Sequence, residues 1–242
     1  MNLRIVPEVF IAININIKKK DKNMRQFKLI LGAFAFLMAS VVSASAINVG
    51  ISATSYSFSG DGTETVNDGT DSNTNTGSQD ADVTVGSVFV EGETDGGWVI
   101  GLEYIPVSAE FVSSSKTQTN ITDADSSTES KTQKVEGDLD NHTTLYVDTP
   151  TYMGLYLSAG VMSVNVTSNE SIGTGSTYDN DTIYGTKVGI GYKADVTGNM
   201  YIKLEAAYSD YETIEISATN TDNKVTGDLD ATSAKLSIGY KF

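Results

Sequence analysis

The sequence predicts an all-β fold, an eight-stranded antiparallel up-and-down transmembrane β-barrel formed by residues 47–242. Three observations lead to this prediction. Apolar and polar residues alternate through most of that range, the connectors between alternating stretches are long and short by turns, and a secretory signal pattern comes first. Long outer loops, short inner turns and strands of about ten alternating residues are the signature of an outer-membrane barrel.

The N-terminal region has the pattern of a leader that is removed on export. Residues 24–46 combine a basic start, an apolar run over residues 29–42 and a small-residue cleavage site at Ala44-Ser45-Ala46. The alternative is a membrane anchor, but a run of 14 residues is short of the about 20 that span a bilayer. Residues 1–23 are either an extended leader or lie upstream of a start at Met24, so residues 1–46 together form the predicted leader and signal peptide.

Composition restricts the function of the mature chain. Residues 47–242 keep nine Lys, no Arg and 29 acidic residues, a net charge of −20, so a nucleic-acid partner is not expected. The sequence contains no Cys, which excludes disulfides and thiol chemistry. No motif indicates a cofactor, and none is predicted.

Eight stretches rich in Val, Ile, Thr and Tyr have the two-residue period of strands. They are 47–59, 81–91, 97–112, 136–148, 151–167, 181–194, 200–217 and 228–242. Polar connectors such as residues 60–80 and 113–134 alternate with short ones such as Thr149-Pro150. All short turns therefore lie at one end, which is the periplasmic end of an outer-membrane barrel.

Each strand has an apolar face and a face of Gly, Ser and charges. The polar face would make a poor core, which favours apolar side chains pointing out toward lipid and a polar lumen. The lumen charges predicted in this way are Glu103, Lys187, Lys203, Glu205 and Lys235. The opposite assignment, a secreted soluble barrel that binds a ligand inside like a lipocalin, stays as an alternative.

Aromatic residues gather near the short turns, where an interfacial girdle is expected. They are Trp98, Tyr152, Tyr192, Tyr201, Tyr240 and Phe242. Near Tyr56/Phe58, Pro106 and Met162/Val164 the alternation changes phase. Either a bulge resets each strand, or these ends protrude beyond the membrane.

The last strand carries apolar residues at alternate positions: Leu236, Ile238, Tyr240 and Phe242. This pattern resembles the C-terminal signal of bacterial outer-membrane barrels. With eight strands and acidic loops, the mature chain resembles the small eight-stranded group that includes the outer membrane protein A transmembrane domain and opacity-like proteins. The resemblance implies export to the bacterial outer membrane, contact with its lipid, and recognition of these four residues by the barrel-assembly machinery.

The interior of eight strands is about wide enough for side chains to fill. We therefore expect a salt-bridged, filled lumen and a structural or surface-interaction role; a narrow porin-like channel is the alternative. The single His142 lies where outer-leaflet lipid enzymes of similar size keep a catalytic His, with Asp140, Thr143 and Thr144 nearby. No nucleophile motif accompanies it, so we predict a solvated His, no catalytic residues and no enzyme.

Acidic residues of the long connectors make divalent cations a candidate partner. These residues are Asp61, Asp68, Asp71, Asp123 and Asp125. The spacing fails the EF-hand pattern, because no Gly follows at the sixth position after Asp123 and Lys134 occupies the twelfth. We therefore predict diffuse screening by cations and no defined metal site.

Overall fold

A computed structural model describes residues 46–67, 72–106, 108–122, 128–171, 180–218 and 224–242. The predicted leader, apart from Ala46, lies outside this range, as do Asp68, Asp71, Asp123 and Asp125. Among the described residues, no helix is long and apolar enough to cross a bilayer.

Within the described residues, ten strands build one closed antiparallel sheet. They are β1 (Ala46–Asn67), β2 (Ser72–Glu93), β3 (Val99–Ile105), β4 (Ala109–Thr122), β5 (Thr128–Asp148), β6 (Leu155–Ser171), β7 (Asp181–Asp195), β8 (Met200–Tyr211), β9 (Ile214–Ser217) and β10 (Lys224–Lys241). β3 and β4 pair one after the other with β5, and β8 and β9 pair one after the other with β10. Each of these two pairs therefore counts as one strand of the barrel wall, which has eight strands. The barrel closes where β1 pairs with β10, from Asn48↔Lys241 to Thr65↔Lys224. The predicted eight-stranded up-and-down barrel is confirmed.

The strands are longer than predicted. Residues 60–80 and 113–134 were expected to be loops, but β1 and β2 remain paired from Ala46↔Glu93 to Asn67↔Ser72, and β4 pairs with β5 up to Thr122↔Thr128. The prediction was wrong because polarity was taken as a sign of a loop. Strands that lie in water can carry Thr and Ser side chains, and their backbones still form hydrogen bonds with the neighbouring strand.

An apolar band encircles the turn side of the barrel. Its outward side chains include Ile51 (62% exposed), Leu157 (58%), Ile190 (53%), Leu204 (55%) and Ile238 (44%). On β8 the outward apolar residues run from Met200 to Tyr208, a path of about 26 Å at about 3.3 Å per residue. So large a continuous apolar exterior fits contact with lipid rather than water.

Beyond the band the chemistry of the two faces reverses. On β1 the outward residues become Ser55, Ser57 and Ser59, while Phe58 turns into a buried core. That core contains Phe58, Leu139, Met162, Val164, Val166, Ile183, Tyr211, Leu229 and Ala231. We call this part the outer storey and the banded part the membrane storey. In the outer storey apolar side chains point inward and polar ones point outward, as in a water-soluble protein. In the membrane storey apolar side chains point outward and polar ones point inward.

This reversal explains the predicted changes of phase. β1 keeps an unbroken register with both neighbours, so no bulge resets it near Phe58. A bulge instead lies in β5, where Asn141 (φ 52°) and His142 lie opposite the single residue Val164 of β6. Of the two alternatives for β1, protrusion beyond the membrane is therefore the correct one. The change of phase near Pro106 falls where this residue separates β3 from β4.

Candidate functional site

The inside of the membrane storey contains a group of buried charges that we call the lumen network. Its members are at most 8% exposed: Glu91, Glu103, Asp148, Glu205, Lys187, Lys203 and Lys235. Two clusters can be distinguished within it, an outer cluster toward the outer storey and a turn-side cluster near the short turns. Because each residue lies on the inward face of its strand, pleating alone directs it to the lumen.

The outer cluster contains two lysines and two glutamates. Lys187 Nζ lies 2.6 Å from Glu205 Oε1. Lys235 Nζ bridges Glu103 Oε2 at 2.9 Å and Glu205 Oε1 at 3.3 Å. The Ser87 hydroxyl donates a further hydrogen bond of 2.6 Å to Glu103. These charges balance one another, and short charge-assisted bonds of this kind are stronger than neutral ones.

The turn-side cluster has one lysine between two acids. Lys203 Nζ donates to Glu91 Oε1 at 2.7 Å and to Asp148 Oδ2 at 2.6 Å. The hydroxyls of Tyr146 and Tyr201 donate to Glu91 at 2.6 and 2.7 Å. The cluster is therefore held by three strands, β2, β5 and β8, that are far apart in sequence.

Tyr146 occupies the centre of the lumen. The ammonium groups of Lys187, Lys203 and Lys235 each lie 5.4 Å from the centroid of its ring. Three cations from three strands around one aromatic ring fill the cross-section at this level, and each is placed for a cation–π contact.

Aromatic rings reach this position because glycine faces them on the next strand. Four such cross-strand pairs line the lumen: Gly50/Phe89, Gly101/Tyr146, Gly191/Tyr156 and Gly239/Tyr201. At Gly239 an added Cβ would overlap the ring of Tyr201. The glycine-rich face is thus the surface on which the rings lie flat, an arrangement known to support sheets at glycine positions.

No protein-family model matches the chain, and no curated protein is similar in sequence. Solved structures of outer-membrane proteins are similar to this chain over most of its length. Outer membrane protein OprG from Pseudomonas aeruginosa has a TM-score of 0.48 at 12% identity, over 82% of this chain and 97% of that one. The outer membrane protease OmpT from Escherichia coli gives 0.45 at 12%, over 83% and 98%. Neisserial surface protein A gives 0.36 at 10%, over 78% and 97%.

Polarity in the membrane storey is inverted, with hydrocarbon outside and ion pairs inside, on a sheet without open edges at that level. Such a sheet satisfies every backbone group internally, as a bilayer requires. The protein is an eight-stranded outer-membrane β-barrel. The lipocalin-like alternative is wrong for the membrane storey, because the interior of this barrel is ionic there.

The five lumen charges predicted from sequence, Glu103, Lys187, Lys203, Glu205 and Lys235, all point inward and are paired in the lumen network. Sequence reasoning missed Glu91 and Asp148. Both lie in stretches with weak alternation, since β2 also turns Val85 and Phe89 inward and β5 carries a bulge. Glu91 shares the period of Ser87 and Phe89, a signal that could have found it.

The predicted aromatic girdle needs one correction. Trp98, Tyr152, Tyr192, Tyr240 and Phe242 are between 43% and 78% exposed at the turn side. Tyr201 was wrongly included: it is 0% exposed, because it shares the inward face of β8 with Lys203. Tyr104 and Tyr208 point outward at the opposite edge of the apolar band, 37% and 45% exposed.

The prediction of a solvated His142 is also wrong. The side chain is 7% exposed, and Nε2 lies 3.3 Å from the Tyr211 hydroxyl at the floor of the outer storey. The bulge in β5 directs it inward. Asp140 Oδ2 accepts instead from Thr167, at 2.8 Å. Of the acids considered for divalent cations, Asp61 is within the described residues and is exposed.

Proposed function

We propose that this outer-membrane barrel has a structural or surface-interaction role and a lumen filled by side chains. The observation that supports it best is the hub at Tyr146, where three lysines surround one ring in the centre of the lumen. Ion pairs link these three lysines to four inward carboxylates, so an ion crossing the barrel would have to break several short bonds.

The outer storey supports the surface-interaction part of the proposal. Its strands carry the wall beyond the apolar band, and its own apolar core makes it a folded platform rather than a set of loops. Aspartates such as Asp80, Asp82 and Asp228 point outward from it. An acidic exterior keeps such a platform hydrated and soluble. The proposed role is not catalytic. The polar contact of His142 is with the Tyr211 hydroxyl and not with a carboxylate that could orient it as a general base.

Planar-bilayer recording tests the filled lumen. We expect wild-type protein to give no reproducible stepwise conductance at neutral pH. Glu205→Gln and Lys187→Met test the outer cluster, and Lys241→Met, whose partner Asp195 is largely exposed, is the matched control. Regular openings in wild type that the first two variants change and the control leaves alone would replace this proposal with the narrow-channel alternative.

We also propose that the outward residues of the last strand serve as the assembly signal. Leu236, Ile238, Tyr240 and Phe242 are 43–74% exposed, and the last two rings pack 5.0 Å apart. Phe242→Ser is expected to lower the yield of heat-modifiable barrel in cells without changing refolding into detergent. Equal loss in both settings would indicate a purely structural contribution instead.

A further inference from the structure

The charges of the lumen network do not sum to zero. The outer cluster has two lysines and two glutamates and is balanced. The half-buried pair of Lys193 and Glu93, 3.1 Å apart at the turn-side mouth, is balanced too. In the turn-side cluster, by contrast, Lys203 alone faces both Glu91 and Asp148. One negative charge is therefore in excess, and it is buried at the depth of the bilayer, where an uncompensated charge is costly.

The hydrogen bonds place this excess on one atom. Glu91 is fully engaged, because Lys203 and Tyr146 donate to Oε1 and Tyr201 donates to Oε2. Asp148 is engaged on one side only: Oδ2 accepts from Lys203, whereas Oδ1 has no hydrogen-bond partner among the described residues although Asp148 is 2% exposed.

A second unpartnered oxygen lies beside it. Ser158 on β6 is directly opposite Asp148 on β5 and is 4% exposed, and within the described part of the chain its hydroxyl oxygen also lacks a partner. The next cross-strand pair, Thr149 and Leu157, is joined by a backbone hydrogen bond, in which Thr149 N donates to Leu157 O at 2.9 Å. Asp148 and Ser158 thus form a non-hydrogen-bonded pair, the kind whose Cα atoms are about 4.5 Å apart and whose side chains approach most closely.

We propose that Asp148 Oδ1 and Ser158 Oγ bind one exchangeable monovalent metal cation of the sodium class. Carboxylate and hydroxyl oxygens are suitable ligands for hard cations. A single positive charge neutralises the excess, whereas a divalent ion would overshoot it. In addition, no group of three or more His, Cys, Asp or Glu side chains that could hold a metal occurs among the described residues. Lys203 Nζ lies 2.6 Å from Oδ2, so Oδ1 is the oxygen left to meet the cation. This inference does not depend on whether the lumen conducts.

The test is the sodium dependence of stability. Refolded barrel in detergent micelles is unfolded with urea while sodium chloride replaces choline chloride at constant ionic strength and pH. Sodium at about nine times its dissociation constant raises the folded-to-unfolded ratio about tenfold by linkage. We expect this saturable rise in wild type, its loss in Asp148→Asn and its weakening in Ser158→Ala. Asp195→Asn, an exposed acid on the same side, is the matched control and keeps the rise.

Each other outcome overturns the proposal. A sodium response that survives in Asp148→Asn means that the ion binds elsewhere, and one unchanged in Ser158→Ala removes the second ligand. A wild type that ignores sodium but responds to pH, with the response lost in Asp148→Asn, means that a proton occupies the place. Sodium-23 line broadening by wild-type protein, reduced in Ser158→Ala, gives a readout that does not require Asp148→Asn to fold.

Discussion

Replacing Lys203 by Met should be the most damaging single change in the lumen. Met has nearly the length of Lys but no charge, so Glu91 keeps two tyrosine donors while Asp148 loses its ion-pair partner. Removing one partner from a buried ion pair costs about 3–5 kcal/mol, since it leaves an uncompensated buried charge. That is two to more than three powers of ten in the folded-to-unfolded ratio, at about 1.4 kcal/mol for each.

Urea unfolding of refolded barrel measures this cost. Trp98 is the single tryptophan, is 49% exposed beside the turn-side girdle, and reports by its fluorescence the loss of the membrane environment. Lys241→Met is the control. Its 2.9 Å pair with Asp195 is solvated, and exposed pairs contribute about 1 kcal/mol or less.

A triple variant separates charge from packing. Lys203→Met combined with Glu91→Gln and Asp148→Asn removes all three charges while keeping side-chain volume nearly constant. Replacing a whole buried ion group is often neutral, so most of the lost stability should return. The reasoning is refuted if Lys203→Met lies within 1 kcal/mol of the control, or if the triple variant is no more stable than the single one.

Three further changes test the packing of the two storeys. Leu204→Arg should cost about 2–4 kcal/mol in lipid because it puts a charge in the apolar band, whereas Ser57→Arg beyond the band should cost little; equal effects would mean that the band is placed wrongly. Gly239→Ala should cost about 1–3 kcal/mol by overpacking a tyrosine ring, and Gly198→Ala, which meets nothing within 4 Å, should be near neutral in the same urea assay. Phe58→Ala should cost about 3–5 kcal/mol and speed proteolysis of the outer strands while the membrane strands stay protected; uniform cleavage would contradict two separable storeys.

The fold could be predicted from the sequence because its main constraint is local. Pleating alternates side chains with a period of two, so each strand records which of its faces meets lipid. Lys187, Lys203, Glu205 and Lys235 stand at regular alternate positions in well-patterned strands, and their inward direction could be read from β7, β8 and β10 alone.

The partners of these charges could not be predicted in the same way. Lys203 and Glu91 are 112 residues apart in sequence, and their contact depends on how neighbouring strands are staggered around the closed barrel. That stagger follows from the register of every strand pair together, and a single strand carries no record of it.

The sequence by itself determined the strand period, the outward apolar face and the closed antiparallel sheet. Side-chain alternation and the need to satisfy backbone groups in lipid are enough to require them. Only the tertiary structure decided where water replaces lipid along the strands, since polar outer strands such as those near Ser59 look like loops until they pair. It also decided that His142 is buried and that Asp148 keeps one oxygen without a hydrogen-bond partner in the described ranges. Burial and charge balance are properties of side chains brought together from distant strands, and alternation along one strand does not encode them.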